Sequence, residues 1–402
     1  MKTIMIVGAG RAQLPLIEAA KKENYRTVVC DINPLAIGVP FADEFLPVST
    51  KDRSGLLTAA KSRHINGIVA NSEYAMCDVA YVANQLGLIG NPESAVATLS
   101  SKIGFRTLQR KEGLFTPKFF PDMSFEQVLA DKVSLSFPII IKPDESSGTR
   151  GIAAITDLCD HDMIRKAIHT ARNISRNGKA IAEEFIPMPM RTVIEGEIFL
   201  HHGKILWSGL FYTIRSLKIP MIPMTYVFPL NEEEGRTSRL KESLTKAFRA
   251  AGIVHGEYNI EMFFTADDEL FLIELNPRQG GNDLPRYVQK SSGIDLSRLL
   301  VTTAMGDDYY WSSLQCNQRK NNHIIHHILY PHIGGYFEGL KIDDSITSYV
   351  CRKQINPAIG DRIEKAYNGS FDIGYVDLNF ANFAEQMYVA MQIEDLIQIN
   401  IG

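Results

Sequence analysis

Two strand-forming segments joined by a short polar turn constrain the fold of this chain more than any other feature. The segments Tyr258–Phe264 and Leu270–Leu275 flank the polar stretch Thr265–Glu269. A turn of this length between two apolar runs predicts an antiparallel hairpin. Two more long strands are predicted upstream, over Thr192–Leu200 and Ile205–Ile214. Residues 191–276 therefore have an α+β pattern with antiparallel neighbours, interrupted by one predicted helix, 238–251.

The hairpin carries polar residues in a pattern typical of a metal site. Alternation along a strand places Glu274 and Asn276 on one face, and pairing can bring Glu261 beside Glu274. Two carboxylates on one face repel each other without a cation, whereas carboxylate and amide oxygens suit Mg²⁺. Arg278 and the glycine pair 280–281 follow directly. A solvated polar face is the alternative, and the apolar run 270–273 disfavours it.

The first hundred residues have a different pattern of strand and helix signals. Apolar strand signals alternate with helical periodicity, which predicts a parallel sheet covered on both faces. After the first strand, Gly8-Ala9-Gly10 opens a helix, and Asp31 ends the next strand. This arrangement suggests dinucleotide binding, but Gln13 occupies the third glycine position and would crowd the turn. We therefore favour a structural turn near a substrate, with nicotinamide-cofactor binding as the alternative.

A second group of candidate residues surrounds Lys142. This lysine ends the apolar strand 137–141, and a Ser/Gly-rich loop, 146–151, follows it. A lysine that ends a buried strand needs an anionic partner, and glycines let a backbone approach phosphate oxygens closely. Arg150 adds a second cation. The alternative is a lysine that reaches solvent beside an ordinary turn.

Composition excludes several classes of protein. The 42 basic and 46 acidic side chains give a net charge of −4, so nothing indicates nucleic acid or an anionic membrane surface. The five cysteines are widely spaced without a CxxC pair, which argues against a disulfide framework and fits the cytoplasm. No apolar run approaches the ~20 residues that span a bilayer. His201-His202 are expected to be turn residues. His255 is a candidate to lie next to the strand that carries the predicted metal ligands.

Taken together, the motifs resemble the ATP-grasp superfamily. They are Lys102 at a helix start, the strand 137–143 with Lys142, the loop 147–151, the segment Glu183–Ile186, and the run 273–278 with Gly280-Gly281. The resemblance implies an N-terminal pre-ATP-grasp α/β domain over residues 1–100. It further implies a two-subdomain ATP-grasp fold over 101–305, divided near 180, and a small C-terminal α+β domain over 306–402.

The resemblance also implies roles for individual residues. Lys102 and Lys142 would contact the phosphates of ATP, beneath a lid formed by Ser147, Gly148, Thr149 and Gly151. Glu183 would bond the adenine amino group, and Glu184, Phe185 and Ile186 would form the adenine hinge. Glu261, Glu274 and Asn276 would hold two Mg²⁺ ions, with Mn²⁺ as the alternative. Arg278 would stabilise an acyl-phosphate, so that Arg278, Lys142 and Glu274 form the catalytic set. The glutamate that often contacts ribose is replaced by Met190, which leaves Arg191 or Glu195 for that contact.

Within the superfamily, length and layout are most similar to the bacterial L-amino-acid ligases. The implied activity is an ATP-dependent carboxylate–amine ligase that joins amino acids through an acyl-phosphate. The alternative is an ATP-grasp carboxylase or a carbamoyl-phosphate-synthase-like enzyme that uses bicarbonate. A catalytically silent nucleotide-binding protein is a further alternative, which the intact metal residues disfavour. A homodimer is expected, with small-molecule substrates and no nucleic-acid or membrane partner.

Overall fold

The computed structural model describes residues 1–130, 135–146, 148, 150–157, 159–219, 222–315 and 322–402. It begins with a parallel sheet and continues with antiparallel sheets covered by helices. The mixed α/β and α+β architecture predicted from the sequence is thereby confirmed. None of the helices in these ranges is long and apolar enough to cross a membrane.

The N-terminal region is built on a parallel sheet with the strand order β3-β2-β1-β4. Every residue of β1 is buried, which explains why its sequence is apolar without alternation. The elements are β1 (Thr3–Val7), α1 (Leu14–Lys22), β2 (Arg26–Cys30), β3 (Glu44–Leu46), α2 (Arg53–Ser62), β4 (Gly67–Val69), α3 (Met76–Leu86) and α4 (Glu93–Ser100).

The next region contains an antiparallel sheet with the order β5-β8-β6-β7. Ile139, Ile141 and Ala182 pack in one core cluster with residues of α7, so the alternate residues Lys142 and Glu183 occupy the other face. The elements are α5 (Lys102–Lys111), β5 (Phe119–Pro121), α6 (Phe125–Ala130), β6 (Ile139–Pro143), β7 (Ala153–Ile155), α7 (His161–Ile174) and β8 (Ala180–Glu184).

A large antiparallel sheet dominates the rest of the chain, with the order β14-β13-β9-β11-β12-β15-β19-β17 and β10 beside β9. The helices and strands of this part of the chain, including those outside the large sheet, are β9 (Thr192–His201), β10 (Lys204–Leu206), β11 (Leu210–Arg215), β12 (Pro223–Phe228), α8 (Glu234–Ala251), β13 (Gly256–Phe264), β14 (Leu270–Asn276), α9 (Leu284–Ser292), α10 (Leu296–Ala304), α11 (Tyr309–Gln315), β15 (His323–Ile328), β16 (Gly335–Ile342), α12 (Asp344–Thr347), β17 (Val350–Ile355), β18 (Arg362–Ile363), β19 (Gly374–Phe380), α13 (Phe383–Met391), α14 (Ile393–Leu396) and β20 (Ile397–Ile401).

The connectivity of this sheet crosses the boundary proposed at residue 305. Strands β15, β19 and β17 extend the sheet that begins with β14, while β16 pairs with β18 and β20 in a smaller sheet. In the other direction, Val301 and Ala304 of α10 pack against Ile4 and Ile6 of the N-terminal sheet. The domain limits therefore stay predictions, and the packing links all three proposed regions.

Two local predictions were wrong. The expected strand 205–214 is broken into β10 and β11 by a turn, in which Gly209 accepts a backbone hydrogen bond from Glu197. A Cβ at Gly209 would lie 1.9 Å from the carbonyl oxygen of Glu197, so only glycine fits. The sequence also predicts a short strand over Ile346–Val350. Its first residues lie in α12 instead, because Asp343 caps that helix by accepting from the Ser345 amide.

Candidate active site

One face of the large sheet brings the predicted metal-binding residues together. Glu261 on β13 pairs with Glu274 on β14 and, on its other side, with Glu195 on β9. Asn276 lies two residues along β14, opposite Asn259. A bulge follows Glu261, so the register changes immediately after the paired glutamates. The hairpin thus places Glu261, Glu274 and Asn276 on one face, as the alternation pattern predicts.

The facing carboxylates have opposite protonation tendencies. Burial and the neighbouring Glu274 raise the pKa of Glu261 to about 7. Burial also acts to raise the pKa of Glu274, but Lys102 and the 2.9 Å hydrogen bond from Asn276 Nδ2 hold it below its ordinary value. Without a cation the pair therefore retains a proton up to neutral pH.

This donor set fits a magnesium ion. Asn276 donates through its amide nitrogen, which leaves its amide oxygen as an acceptor beside the two carboxylates. One carboxylate oxygen of the adjacent Glu195 is buried, and no side chain or backbone group of the described residues donates a hydrogen bond to it. Hard oxygen donors crowded in this way favour a hard divalent cation. Glu261, Glu274 and Asn276 are the residues that would hold it.

Sequence reasoning missed most of the acidic residues beside this pair. Glu197 accepts hydrogen bonds from Asn259 Nδ2 at 2.7 Å and from the Gly280 amide at 2.9 Å. Glu257 accepts one from Gln279 Nε2 at 2.6 Å. Burial raises the pKa of Glu197 to about 7 and raises that of Glu257. The available signal was the spacing of residues 195 and 197, two apart in a strand and hence on one face.

Two arginines flank the acidic face. Arg278, predicted as catalytic, has its Nε 3.5 Å from Oε2 of Glu73, which belongs to the N-terminal region. Arg215, which sequence reasoning missed, lies with Nη2 3.5 Å from Oε2 of Glu261. Both side chains are largely buried, with exposed fractions of 15% and 11%. The face therefore presents guanidinium groups next to carboxylates, and an anionic substrate would find cations there.

The opposite wall is formed by a buried ionic group on β6, β8 and α5. Lys142 forms an ion pair with Oε1 of Glu183, and Arg106 Nε donates to Oε2 of the same carboxylate at 2.8 Å. Although burial alone would raise it, Arg106 and Lys142 hold the pKa of Glu183 at about 2. The predicted anionic partner of Lys142 is therefore Glu183 in this structure, and the alternative of a solvent-reaching lysine is wrong, because Lys142 is buried.

Arg106 connects this wall to β14, the strand that carries Glu274 and Asn276. Its Nη1 donates to the carbonyl of Ile273 at 3.0 Å and to Oε1 of Gln109 at 2.7 Å, and Gln109 donates to the carbonyl of Leu272 at 2.9 Å. Sequence reasoning missed Arg106. The available signal was its place beside Phe105, on the buried face of a predicted helix. A fully buried arginine there needs acceptors from another element.

Lys102 lies between the two walls of the cleft. Its Nζ lies 3.9 Å from Oε2 of Glu274 and donates to the carbonyl of Ser146 at 3.4 Å. The helix start is fixed because Ser101 caps α5 by accepting from the Gly104 amide. Lys102, Lys142 and Glu274 therefore meet in one cleft, where a polyphosphate would lie between lysines and metal ligands.

The described residues of the predicted lid follow β6, and the hinge follows β8, the two strands that carry Lys142 and Glu183. Ser147 and Thr149 lie outside the described residues, while Gly148 and Gly151 adopt positive φ angles of 70° and 73°. In the hinge, the amides of Glu184 and Phe185 already donate to the carbonyls of Lys118 and Pro138. An adenine bond from the hinge amides would therefore come from Ile186. With both oxygens of Glu183 bonded to cations, its adenine contact stays a prediction.

Arg191 contacts the C-terminal region, and its ribose contact stays a prediction. Its guanidinium donates to the carbonyls of Arg215 and Met391 at 3.1 and 3.4 Å, and approaches Glu394 to 3.9 Å. These contacts hold the side chain against the C-terminal helices α13 and α14. Glu195 is the better placed of the two ribose candidates, because it lies on the polar face beside Glu261.

The glycine turn of the N-terminal region is filled by its own chain. The Gln13 side chain packs against Gly8 and hydrogen-bonds Asn71, whose Nδ2 donates to Gln279 Oε1 at 3.0 Å. Asp31 accepts from the Ala9 amide at 2.8 Å. Gln13 thus fills the turn, as its bulk led us to expect, and Gln279 connects the turn to the acidic face. A substrate near the turn stays a prediction.

Comparison with known proteins agrees with this geometry. Residues 135–285 match the ATP-grasp domain family. The chain is 22% identical to the carbamoyl phosphate synthase large chain of Thermotoga sp. (strain RQ2) over 72% of this chain and 26% of that protein. It is 24% identical to the L-arginine-specific L-amino acid ligase of Bacillus subtilis over 61% of this chain and 59% of that protein.

A solved structure extends the similarity to the whole length. The L-amino acid ligase from Bacillus licheniformis superposes with a TM-score of 0.78 at 19% identity, covering 100% of this chain and 99% of that one. This chain spans about a quarter of the length of the carbamoyl phosphate synthase chains that it matches. The family match assigns an ATP-grasp domain to residues 135–285 of this chain.

Proposed function

We propose that this protein is an ATP-dependent carboxylate–amine ligase that forms an amide or peptide bond between amino acids and releases ADP and phosphate. One observation carries the proposal. In the cluster formed by Glu261, Glu274 and Asn276, Oε2 of Glu274 lies 3.9 Å from Nζ of Lys102. Lys142 is buried behind this cluster, and Arg278 lies beside it. This is the arrangement of charges that a triphosphate and an activated carboxylate require.

The chemistry follows from those charges. A free carboxylate is a poor acyl donor, and transfer of the γ-phosphoryl group turns it into an acyl-phosphate with a good leaving group. Such a transfer depends on positioning and charge neutralisation more than on a covalent nucleophile. Bound Mg²⁺, two ions in our proposal, would neutralise the phosphate oxygens. Lys102 and Lys142 bind the phosphates, and Arg278 stabilises the acyl-phosphate until an amine attacks.

Amino acids suit the walls of this cleft. Arg278 and Arg215 offer guanidinium groups to a carboxylate, and Glu73 and Glu195 offer carboxylates to an ammonium group. Glu73 is held 3.5 Å from Arg278, so opposite charges lie side by side as in a zwitterionic ligand. The full-length similarity to the fold of an L-amino acid ligase supports the same substrate class.

Bicarbonate is the second candidate substrate. Carbamoyl phosphate synthase large chains are among the relatives in sequence, so a carboxyl-phosphate made from bicarbonate is the alternative to an amino-acyl phosphate. The two candidates share the ATP and metal residues and differ only in what Arg278 and Arg215 bind.

We further propose that the protein acts as a cytoplasmic homodimer.

The test is ATP-dependent phosphate release against amino acids, amino-acid pairs and bicarbonate, with mass spectrometry of the products. We expect release that requires two amino acids and a product mass equal to their sum minus water. Release with bicarbonate alone would favour the second candidate.

Matched variants place the reaction at the site. Glu274→Gln removes a metal ligand, and kcat should fall by about 100-fold or more because charge stabilisation is lost. Glu269→Gln changes an exposed glutamate in the turn of the same hairpin and should retain activity. Equal activity of the two variants would show that the reacting phosphate is bound elsewhere.

A further inference from the structure

A second group of metal-ligating side chains lies at the far end of β9. His201 ends that strand, His202 follows in the turn, and Asp308 belongs to the segment between α10 and α11. Their nitrogen and oxygen ligand atoms all lie within 4.8 Å of one another. His201 is six residues from Glu195, which is about 20 Å along a strand. The cluster is therefore separate from the cleft that would bind ATP.

The ring of His201 is fixed in one orientation. Its Nδ1 lies 3.1 Å from Oγ1 of Thr303, and its ring lies against Trp311 with the ring centres 4.9 Å apart. Its other nitrogen, Nε2, lies 2.9 Å from Oδ1 of Asp308. Metal-bound histidines are oriented in the same way, with one nitrogen bonded to a neighbouring group and the other directed at the ion.

The turn holds His202 beside His201. His202 has a φ angle of 48°, and Gly203 after it donates to the carbonyl of Val254 at 2.8 Å. This backbone bond anchors the turn next to His255, whose ring centre lies 4.7 Å from that of His202. The ring centres of His201 and His202 are 4.5 Å apart. Three imidazoles thus converge at one corner of the sheet, where His202 is exposed and His201 is buried.

We propose that His201, His202 and Asp308 bind a divalent transition-metal ion of the zinc type, with water or His255 in the remaining position. Two imidazole nitrogens and one carboxylate oxygen are donors that such ions prefer, whereas Mg²⁺ prefers oxygen ligands alone. Ligand atoms ~2.0–2.1 Å from a tetrahedral ion are about 3.3 Å apart. The 2.9 Å pair of His201 and Asp308 must open by a few tenths of an ångström, and the Asp308 side chain, 58% exposed, has room to do so.

The ion would fasten the N-terminal region to the large sheet. The segment before Asp308 contacts the N-terminal region twice: Lys2 Nζ donates to the carbonyl of Met305 at 3.0 Å, and the Tyr25 hydroxyl donates to Oδ2 of Asp307 at 3.1 Å. His201 and His202 belong to the large sheet. Metal binding therefore adds a cross-link between two regions that meet at this corner, and it should stabilise the folded chain.

The experiment uses the full chain without an affinity tag, freed of metal with a chelator and kept without ATP or Mg²⁺. Co²⁺ is titrated and followed by its visible absorption, and Zn²⁺ is then added in competition. We expect one equivalent of Co²⁺ with the visible bands of a tetrahedral nitrogen–oxygen site, displacement by Zn²⁺, and a higher melting temperature with Zn²⁺. Because ATP is absent, the result does not depend on the ligase proposal.

Two variants remove ligands and one serves as the control. His202→Asn and Asp308→Asn should each weaken Co²⁺ binding by at least about 10-fold. His64→Asn is the matched control, because His64 is also exposed and also has a positive φ angle, 47°, which asparagine tolerates. Binding of less than one equivalent to the unaltered chain, or equal binding by His202→Asn, Asp308→Asn and His64→Asn, would overturn the proposal.

Discussion

Glu261→Gln should stabilise the cation-free protein at alkaline pH while it abolishes ATP turnover. Burial and Glu274 raise the pKa of the Glu261 carboxyl from 4.5 to about 7. Below pH 4.5 this carboxyl is protonated in both the folded and the unfolded chain, so its ionisation does not lower the free energy of unfolding. Between pH 4.5 and about 7 the unfolded chain releases this proton while the folded chain retains it, so stability is lost across that range. Above pH 7 the folded chain carries the charge at an unfavourable site, and the loss is complete. Glutamine carries no charge and avoids this loss.

The size of the effect follows from the shift. A difference of about 2.5 pH units at 1.36 kcal/mol each gives an upper bound of roughly 3 kcal/mol. The Glu261 side chain is 23% exposed, and water therefore screens part of that cost. Arg215 also loses its contact with Glu261 in the variant, although Glu195 remains beside it. We expect a gain of about 1–2 kcal/mol at pH 8 relative to pH 5.

Urea denaturation of both proteins with chelator, at pH 5 and pH 8, measures this difference. Glu242→Gln, which changes an exposed glutamate on α8, should show no such pH dependence. The unaltered protein should also gain stability from Mg²⁺ with a non-hydrolysable ATP analogue, and the Glu261 variant should gain much less. If Glu261→Gln destabilises the protein by the same amount at pH 5 and pH 8, the carboxyl is not the strained group inferred here.

Two further substitutions test the packing around the cleft. Arg106→Met removes one of two cations from the buried Glu183 and should lower the unfolding free energy by about 3 kcal/mol, measured by urea denaturation; a change below 1 kcal/mol would contradict this. Gly280→Ala places a Cβ 2.1 Å from Oε1 of Glu197 and should cost about 1–3 kcal/mol in the same measurement, whereas at Gly281 the Cβ has no neighbour within 4 Å. Equal stability of the two alanine variants would refute the steric argument.

The parts of the fold that could be predicted are those fixed by local patterns. A first strand was predicted directly before Gly8, and the observed strand is Thr3–Val7, because an apolar run before a glycine turn leaves few alternatives. The pairing of Glu261 with Glu274 followed from strand periodicity and the length of the turn. These inferences needed only residues close in sequence, where the backbone limits the choices.

The parts that could not be predicted depend on contacts between distant residues. Arg106 reaches Glu183, 77 residues away, and the carbonyl of Ile273, 167 residues away, and no local pattern specifies those partners. The direction of Arg191 is set by the C-terminal helices in the same way. The sheet also continues past residue 305, because β12 pairs with β15, and the sequence pattern does not state which strands are neighbours.

The charges of the side chains in the cleft explain why it suits both a cation and an anion. Among the described residues, the ion pair of Glu261 is its 3.5 Å contact with Arg215. Arg278 pairs with Glu73 and acts on Glu261 and Glu274 only from a greater distance. The acidic face is therefore incompletely neutralised by its own arginines, which leaves it suited to a divalent ion. On the other wall, Glu183 neutralises Lys142, while Lys102 approaches Glu274 only to 3.9 Å. A phosphate chain with its metal ion would complete both walls at once, and this complementarity favours ATP over either ion alone.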